Sequence, residues 1–364
     1  MIMRKILICV HNLSNGGAER VASLWAKGFT DNGDIVHIVT CDRLTPANYI
    51  VPDSVMVHDI DNGGIPLLRY MKKALNLRKI LKEVKPDVAI AVLNPWNLLL
   101  IIASVGLRVP IVNTEHNSFE TPPYAPMPRQ RRFEKFVLNR LFDRVTLLTE
   151  ADKEVIGNRL KNICILPNPL AFEPIVELPK KRSRVIIAAG RLDAWFYKGF
   201  DILIRAWGVI AEKFPEWNLL IAGNGKDEDL RYLMSVAATY NVDKQVRFLG
   251  FCQDLASEFR KAEIFVLSSR YEAFGMVLIE AMSQGCACIA CDYKGRQSEI
   301  IANGINGLLC QPNDDCALAQ CMSELLTNDS KRSEIQRNAI YRSSEYQLPQ
   351  TIKRWEVILE EMGV

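Results

Sequence analysis

Residues 263–292, EIFVLSSRYEAFGMVLIEAMSQGCACIACD, carry the pattern that decides the fold. Two short apolar runs, at 263–269 and 287–292, enclose a segment with helical spacing. A strand without polar alternation is buried on both faces, and parallel pairing of two such strands needs a crossover connection, usually a helix. The stretch therefore predicts a strand–helix–strand unit of a parallel sheet.

The same alternation extends along the whole chain. Its 364 residues exceed what one hydrophobic core ordinarily organises, so the length favours two domains. Ten further apolar runs lie at 5–10, 35–40, 55–60, 87–93, 110–115, 144–149, 184–190, 217–223, 246–251 and 306–310. The pattern predicts an α/β protein with two doubly wound, Rossmann-like domains that face each other across a cleft.

A proline-rich segment separates the two halves. Residues 166–184 contain four prolines and no periodic pattern, which is typical of a linker. The last segment has an apolar stripe at helical spacing and needs a surface to bury it, which we expect on the first domain. The predicted divisions are a first domain at 1–168, a linker at 169–183, a second domain at 184–346 and a returning C-terminal helix at 347–364.

Composition and charge narrow the class of protein. A formal net charge of +3 is too small to indicate a nucleic-acid partner. The N-terminus lacks a signal-peptide pattern, and the longest apolar stretch, from Leu98 to Val105, is about half of the roughly 20 residues that span a membrane. We therefore expect a cytoplasmic protein with reduced cysteines. The cysteine-rich run at 286–291 predicts a buried strand rather than a metal site.

Glycines and cations mark two candidate anion sites at strand ends. Gly16 and Gly17 lie between the first predicted strand and a helix, where backbone approaches a ligand closely and a helix N-terminus favours phosphate. Arg191 and Lys198 follow the first strand of the second domain, and a guanidinium with an ammonium suits a pyrophosphate. A plain tight turn and two solvated surface cations are the structural alternatives.

Two glutamates eight residues apart mark a third candidate site. Glu272 precedes a predicted helix, and Glu280 falls among its apolar residues, where a carboxylate is costly unless it is hydrogen-bonded. Two vicinal hydroxyls of a sugar or ribose would supply those hydrogen bonds. Phe274, Gly275 and Met276 offer backbone N–H groups at the start of the helix. The alternative is a structural glutamate that caps a neighbouring element.

These motifs resemble those of the family 4 retaining glycosyltransferases, which have the GT-B fold. The signature E-x-F-G-x-x-x-x-E is present at 272–280. A G-R…K-G element at 190–199, G-G-A-E-R at 16–20 and NGINGLL at 303–309 match the same family in the same order. The resemblance covers nearly the whole chain and implies a hexosyltransferase that uses a nucleotide-diphosphate sugar.

The resemblance also implies roles for the candidate residues. In similar enzymes the loop that matches Gly16 and Gly17 faces the diphosphate and the reacting sugar, and the cations that match Arg191 and Lys198 neutralise the phosphates. The position of Glu280 holds the ribose hydroxyls, and the positions of Glu272 and His116 lie at the transferred sugar. Glu299 departs from the commoner glycine-rich spelling of its region, so we leave it out of the donor site. No D-x-D metal motif occurs in a suitable place. We therefore expect no metal and no cofactor. The resemblance further implies that the leaving diphosphate helps to deprotonate the acceptor on the same face of the sugar, which gives retention.

Basic segments of the first domain bear on the acceptor. Residues 66–85 carry seven basic residues and one acidic residue around a helical apolar stripe, and residues 128–144 carry six and two. A basic amphipathic face suits an anionic membrane surface, whereas ordinary solvated helix faces are the alternative. The membrane interpretation agrees with a saccharide or lipid-linked saccharide acceptor in lipopolysaccharide or capsule assembly, at the inner face of the cytoplasmic membrane.

Two other functions remain open from the sequence. A non-hydrolysing UDP-sugar epimerase uses the same two-domain architecture, although four histidines leave little choice of proton-transfer groups. A catalytically inactive scaffold that binds a sugar nucleotide is the second alternative. The G-G-A-E-R and E-H-N segments resemble those of enzymes that use UDP-linked galactose, glucose or their N-acetyl forms, so we expect a UDP-sugar.

Overall fold

The computed structural model of the chain describes residues 3–14, 16–41, 49–60, 66–93, 96–122 and 124–364, with the side chains of 66–68 left aside. These residues form two compact units. The first unit contains the chain up to Ala171 together with Gln347–Val364, and the second contains Phe172–Tyr346. The change of unit thus falls within the segment predicted as a linker, and the last helix belongs to the first unit.

The strands follow the predicted apolar runs closely. Those of the first unit are β1 (Lys5–Cys9), β2 (Ile35–Thr40), β3 (Met56–Asp59), β4 (Val88–Val92), β5 (Ile111–Thr114), β6 (Arg144–Leu147) and β7 (Ile163–Ile165). Those of the second unit are β8 (Ser183–Ala189), β9 (Asn218–Ala222), β10 (Val246–Gly250), β11 (Ala262–Leu267), β12 (Ala287–Cys291) and β13 (Leu308–Cys310). Only β7 was missed from the sequence, because its three residues are too few to show a pattern.

The helices of both units fill the segments between the strands. In chain order they are α1 (Gly17–Asp31), α2 (Pro66–Val84), α3 (Trp96–Ser104), α4 (Arg129–Phe136), α5 (Glu150–Ile156), α6 (Trp195–Lys198), α7 (Phe200–Ile210), α8 (Asp227–Thr239), α9 (Leu255–Lys261), α10 (Met276–Ser283), α11 (Asp315–Thr327), α12 (Asp329–Ser343) and α13 (Leu348–Glu361). Short 3-10 turns occur at Leu138–Leu141, Gly157–Arg159, Leu192–Ala194, Ala211–Lys213 and Ser344–Tyr346.

Each unit is built on one parallel sheet. The strand order is β3-β2-β1-β4-β5-β6-β7 in the first unit and β10-β9-β8-β11-β12-β13 in the second. The order reverses beside β1 and beside β8, and open α/β sheets bind ligands at the carboxyl ends of the strands around such a reversal. The prediction of two doubly wound parallel-sheet domains is confirmed.

The apolar residues of the central strands form the cores. All five residues of β4 and all five of β12, two of them cysteines, are buried. The last helix, α13, packs on α1 in the first unit, where the Trp355 ring meets the Trp25 ring edge-on at 5.2 Å. The apolar stripe of α2 is narrower than its sequence spacing indicates, because Leu77 and Leu81 are buried whereas Met71 is 56% exposed. In the described part of the chain, no helix is long and apolar enough to cross a membrane.

Candidate functional site

Two glycines shape the loop that follows β8 in the second unit. Gly199 has φ +66°, and a Cβ atom at this position would overlap the carbonyl oxygen of Ser268. A Cβ atom at Gly190 would lie 3.4 Å from the Cδ atom of Lys198. The absence of these side chains lets the segment ending in Lys198 pack against the end of β11, where the Ser268 hydroxyl donates to the Lys198 carbonyl at 2.9 Å.

This packing brings two of the predicted site residues into direct contact. The Lys198 Nζ atom lies 2.7 Å from Oε2 of Glu272, and the Ser269 hydroxyl donates to the same oxygen at 3.3 Å. The two side chains are 26% and 15% exposed, respectively. The carboxylate predicted to contact a sugar and the ammonium predicted to bind a phosphate thus form one partly solvated pair at the carboxyl edge of the sheet.

Arg191 also follows β8, but its side chain pairs with Asp193 instead of Glu272. Its guanidinium donates two hydrogen bonds to the Asp193 carboxylate, at 3.0 and 2.9 Å, and is 74% exposed. The hydrogen bonds from Arg191 lower the pKa of Asp193. Because an exposed ion pair contributes little stability, a polyanion would compete readily for this guanidinium.

The start of α10 carries the remaining predicted residues of the second unit. Gly275 is the N-cap with φ +90° and, as a glycine, provides no side-chain cap for the turn that begins at Met276. Phe274 is buried and packs edge-on against Tyr346 at 5.7 Å. Glu280 lies one turn further and is 4% exposed. The turn therefore presents backbone N–H groups beside the Lys198–Glu272 pair, whose Glu272 Cγ atom would lie 3.4 Å from a Cβ atom at Gly275.

A buried arginine that the sequence analysis missed holds this arrangement. The Arg270 guanidinium pairs with both oxygens of Asp201, at 2.6 and 2.7 Å, and donates to the Phe196 carbonyl at 2.7 Å. Burial raises the pKa of Asp201, but Arg270 and Arg205 outweigh it and hold the pKa below its usual value. Arg270 thereby fixes α6, which ends at Lys198. The only signal in the sequence is its place two residues before Glu272.

The glycine loop of the first unit differs from the anion site expected there. Gly16 is the N-cap of α1 in an extended conformation, and Gly17 is exposed. The side chain of Glu19 folds back across Gly16, where a Cβ atom would overlap its carboxylate. The glycine therefore accommodates a carboxylate at the helix N-terminus, which an incoming phosphate would have to displace. Asn15, which precedes the two glycines, lies outside the described residues.

His116 follows β5 in the first unit. Its Nε2 atom lies 3.1 Å from the Thr114 hydroxyl, and its ring is 5.7 Å from that of Trp25. The Nδ1 atom lies beside Asn168 without a well-formed hydrogen bond. Burial lowers the pKa of His116 to about 4, against an upward influence of Glu115. The imidazole is therefore neutral at pH 7 and acts as a hydrogen-bonding group rather than as a cation.

Next to His116 lies an ion pair that the sequence analysis also missed. Glu115 Oε2 lies 3.0 Å from Nζ of Lys135, and the Asn139 amide donates to Glu115 Oε1 at 2.9 Å. Burial raises the pKa of Glu115, but Lys135 outweighs it and keeps the pKa below its ordinary value. Consecutive side chains of an extended segment point to opposite sides, so Glu115 turns away from His116. The sequence signal for the buried lysine was its place between phenylalanines, in FEKF at 133–136.

One group of potential metal ligands occurs among the described residues. The one clustered set of potential ligands there is Asp314, Asp315 and Cys316, at the start of α11. Asp314 caps that helix through the Ala317 amide, and Asp315 pairs with Arg205 at 3.3 Å. Both carboxylates thus already have structural partners.

Comparison with known proteins agrees with the two-unit division. The family model described as Glycosyltransferase Family 4 matches residues 15–173, and the model described as Glycosyl transferases group 1 matches residues 172–342. Together the two matches run through nearly the whole described chain, and they meet where the first unit gives way to the second.

Three similar proteins cover almost all or most of the chain. The Campylobacter jejuni enzyme named GalNAc-alpha-(1->4)-GalNAc-alpha-(1->3)-diNAcBac-PP-undecaprenol alpha-1,4-N-acetyl-D-galactosaminyltransferase is 26% identical and covers 99% of both chains. An Escherichia coli UDP-Gal:alpha-D-GlcNAc-diphosphoundecaprenol alpha-1,3-galactosyltransferase is 26% identical over 75% of this chain and 76% of its own. The structure of Anabaena Alr3699/HepE in complex with UDP and glucose superimposes with a TM-score of 0.79 at 20% identity, over 97% and 99% of the two chains.

Proposed function

This chain belongs to the family 4 glycosyltransferases, and we propose that it transfers a hexose or N-acetylhexosamine from a UDP-sugar to a lipid-linked saccharide with retention of configuration. The observation that carries the proposal is the contact of Lys198 with Glu272 beside the start of α10, whose N-cap is the glycine Gly275. One place thus offers a cation for a phosphate, a carboxylate for sugar hydroxyls and backbone N–H groups for either.

The choice of UDP rests on sequence and relatives. The G-G-A-E-R and E-H-N segments resemble those of UDP-sugar enzymes, and the E. coli relative is named for UDP-Gal. Glu280 is buried near the same helix start and is the proposed acceptor of hydrogen bonds from the ribose hydroxyls. Lys198 and Arg191 then bind the diphosphate, and Glu272 contacts the transferred sugar. The role of His116 as a neutral hydrogen-bonding group for a sugar is proposed from the family resemblance alone.

The mechanism needs no protein nucleophile and no resident metal. The diphosphate leaves with its charge balanced by the two cations, and one of its oxygens takes the proton of the acceptor hydroxyl that attacks from the same face. Charge stabilisation and orientation supply the acceleration in such a reaction. Since the cations replace a divalent ion, EDTA is expected to change the rate by less than about twofold.

The acceptor is proposed from the relatives. The C. jejuni and E. coli proteins are both named for acceptors joined to undecaprenol through a diphosphate. An acceptor of that kind is anchored in a lipid bilayer, so the enzyme would work at the inner face of the cytoplasmic membrane.

The surface of α2 and α3 supports contact with such a membrane. Five large apolar side chains are exposed there, namely Met71, Leu75, Leu98, Ile102 and Val105. Exposed cations of α2, among them Lys72 and Lys79, lie on the same helix, whereas Lys73 and, in α4, Lys135 are buried and add nothing to the surface charge. Apolar side chains beside cations suit the boundary of an anionic bilayer.

The first experiment is a thermal-shift titration with UDP-, GDP-, ADP- and dTDP-sugars. We expect stabilisation by one UDP-sugar, and a loss of about tenfold in affinity for Glu280→Gln because two ribose hydrogen bonds weaken. UDP and its 2′,3′-dideoxy analogue should differ in affinity for the wild type, and this difference should be smaller for the variant. Glu212→Gln, at an exposed position of the same unit, is the matched control.

The outcomes separate the parts of the proposal. No stabilisation of the wild type by any nucleotide sugar contradicts the donor site. Equal ribose discrimination by wild type and Glu280→Gln contradicts the role of Glu280 alone. For an accepted donor, the anomeric configuration of the product, read by NMR, must match that of the UDP-sugar if transfer is retaining.

A further inference from the structure

A cavity of about 210 Å³ lies at the carboxyl edge of the sheet in the first unit. Leu93, Asn113, Glu115 and Asn117 reach it from the ends of β4 and β5, and Arg131 and Lys135 reach it from α4. None of these residues belongs to the donor site proposed above. The edge of the sheet is nevertheless where open α/β folds bind ligands.

The ion pair in the cavity wall is satisfied internally. Lys135 Nζ lies 3.0 Å from Glu115, donates to the Asn117 carbonyl at 2.7 Å and lies 3.8 Å from the centre of the Phe119 ring. Two oxygen atoms and an aromatic ring thus surround the ammonium, and its charge is balanced by Glu115. The pair gives the cavity a rigid polar wall without a net charge.

The amide network beside the pair leaves one acceptor unused. Because Glu115 can only accept, the Asn139 amide nitrogen must face it, and the Asn139 oxygen then accepts from Nδ2 of Asn113 at 2.8 Å. This fixes the orientation of the Asn113 amide. Its Oδ1 atom is buried and has no hydrogen-bonding partner in the described part of the chain. A buried acceptor without a donor is costly, and Asn113 is one of the residues that line the cavity. A ligand bound there with a hydroxyl or N–H group would supply the missing donor.

Arg131 supplies the charge that the cavity leaves unbalanced. Its side chain is partly buried, lines the cavity and lies close enough to Glu115 to lower the pKa of that carboxylate. It makes no hydrogen bond or ion pair with any of the described residues. Among the side chains that line the cavity, Glu115 and Lys135 cancel and Arg131 adds one positive charge. A guanidinium is suited to fork onto the two oxygens of a phosphate or carboxylate.

The backbone of the cavity wall is strained at Leu93. This residue directly follows β4 and has φ +62°, in the left-handed region that leucine rarely adopts. Strain of this kind is concentrated at ligand sites, where the surrounding structure enforces a particular shape. The strained backbone, the unused acceptor and the unbalanced cation coincide in one cavity.

We infer that this cavity binds the acceptor, as a sugar ring whose hydroxyl or acetamido N–H donates to Asn113 Oδ1 and whose neighbouring anionic group is bound by Arg131. The inference rests on the proposed function and adds that the acceptor carries a negative charge next to the sugar. That charge is either a diphosphate or the carboxylate of a hexuronate. Arg131 is then a residue that determines acceptor specificity, not a catalytic residue.

The test compares Arg131→Gln with Arg132→Gln in the full-length enzyme, because Arg132 is the exposed neighbour on the same helix and does not line the cavity. The acceptor probes are N-acetylglucosamine linked to farnesyl diphosphate, an octyl disaccharide with a hexuronate, and neutral octyl N-acetylglucosaminide. We expect Arg131→Gln to raise KM for one charged probe by about tenfold or more, with kcat within about twofold. The neutral probe and Arg132→Gln should show no such change.

The outcomes distinguish the source of the charge. A rise with the diphosphate probe alone assigns the anion to the diphosphate, and a rise with the hexuronate probe alone assigns it to the carboxylate; both support the cavity as acceptor site. An unchanged KM for both charged probes, or an equal rise for the neutral probe, overturns the inference and leaves a structural cavity filled by water.

Direct titration of the same probes without any nucleotide sugar keeps this inference separate from the proposed function. Binding of a charged probe that depends on Arg131 supports the cavity even if no nucleotide sugar binds, a result that would contradict the donor site instead. A protein that binds a UDP-sugar but no charged probe overturns the cavity and leaves the donor site intact. Melting curves of both variants establish that they are folded.

Discussion

The two units share one architecture and differ in how charged groups are held at the carboxyl edge of the sheet. In the second unit, Lys198 and Glu272 are paired but 26% and 15% exposed, and the Arg191–Asp193 pair is more exposed still. In the first unit, the Lys135 side chain is 2% exposed and its partner Glu115 12%.

The difference indicates two kinds of ligand. A partly solvated pair exchanges partners more easily than a buried one, so under the proposed function a diphosphate competes with the carboxylate for Lys198. A buried pair cannot exchange, because removing either partner leaves an uncompensated charge in a poorly solvated place. Under the two proposals above, the second unit is suited to the highly charged diphosphate, and the first to a hydroxylated ligand with one anionic group at Arg131.

The largest effect is expected where the pair is buried. Lys135→Met should lower the free energy of unfolding of the first unit by about 3–5 kcal/mol, because Glu115 loses its counter-charge. Lys153→Met is the matched control, since its pair with Glu150 is 50% and 56% exposed and should be worth less than about 1 kcal/mol. Amide hydrogen exchange in β5 measures both. Equal effects of the two substitutions would remove the contrast between the units.

The same substitution in the second unit should affect activity instead. Lys198→Met is expected to lower kcat/KM by about 100-fold, because the departing diphosphate loses a cation, while the melting temperature changes little. Arg184→Met serves as control, since this arginine pairs with Glu216 at the opposite end of β8. Steady-state kinetics with the accepted donor provide the measurement. A loss below about threefold would argue against a role of Lys198 at the phosphates.

The smallest expected effect is that of pH on the stability of the first unit. All four histidines lie in this unit, so their protonation should affect it alone. His37 and His58 are 3.0 Å apart, and burial lowers the pKa of each, as it lowers that of His116 to about 4. The unfolded chain then binds more protons below pH 6.5, so stability is complete above that value and is lost as the pH falls. His116 alone should lower the free energy of unfolding of the first unit by about 1 kcal/mol when the pH falls from 7.5 to 5.5.

Hydrogen exchange at these two pH values, resolved by unit, tests the expectation. Amides of β1 and β2 should lose protection at pH 5.5 relative to those of β8 and β11, after correction for the intrinsic exchange rate. His37→Gln should reduce the loss. An equal loss of protection in both units would show that carboxylates rather than histidines govern the acid response.

Much of the fold could be predicted from the sequence. Strands that are apolar throughout, such as β4 and β12, show their burial on both faces in their composition, which predicts parallel sheets before any packing is known. The three-residue strand β7 could not be predicted, since it is too short to show a pattern and forms only by pairing with β6. The exposure of Met71 could not be predicted either. Helical spacing shows which residues share a face, but not how much of that face a neighbouring helix covers.

The candidate site was readable only where a motif marked it. Glu272, Glu280, Arg191 and Lys198 stand out as charged residues beside strand ends or among apolar residues, and their proposed roles stay predictions. The buried ion pairs of the two units could not be predicted from the sequence. Glu115 and Lys135 are twenty residues apart, and Asp201 and Arg270 sixty-nine, so nothing in the local sequence connects them.

The sequence by itself determined the two parallel-sheet domains and the family motifs, because strand burial and loop chemistry are local properties that each segment carries in its own residues. Only the tertiary structure decided which charges are exposed and exchangeable and which are buried and fixed. Whether Lys198 or Lys135 meets water depends on segments distant in sequence that pack around it, and the free energy of a charge is set by that surrounding solvent and by its partners.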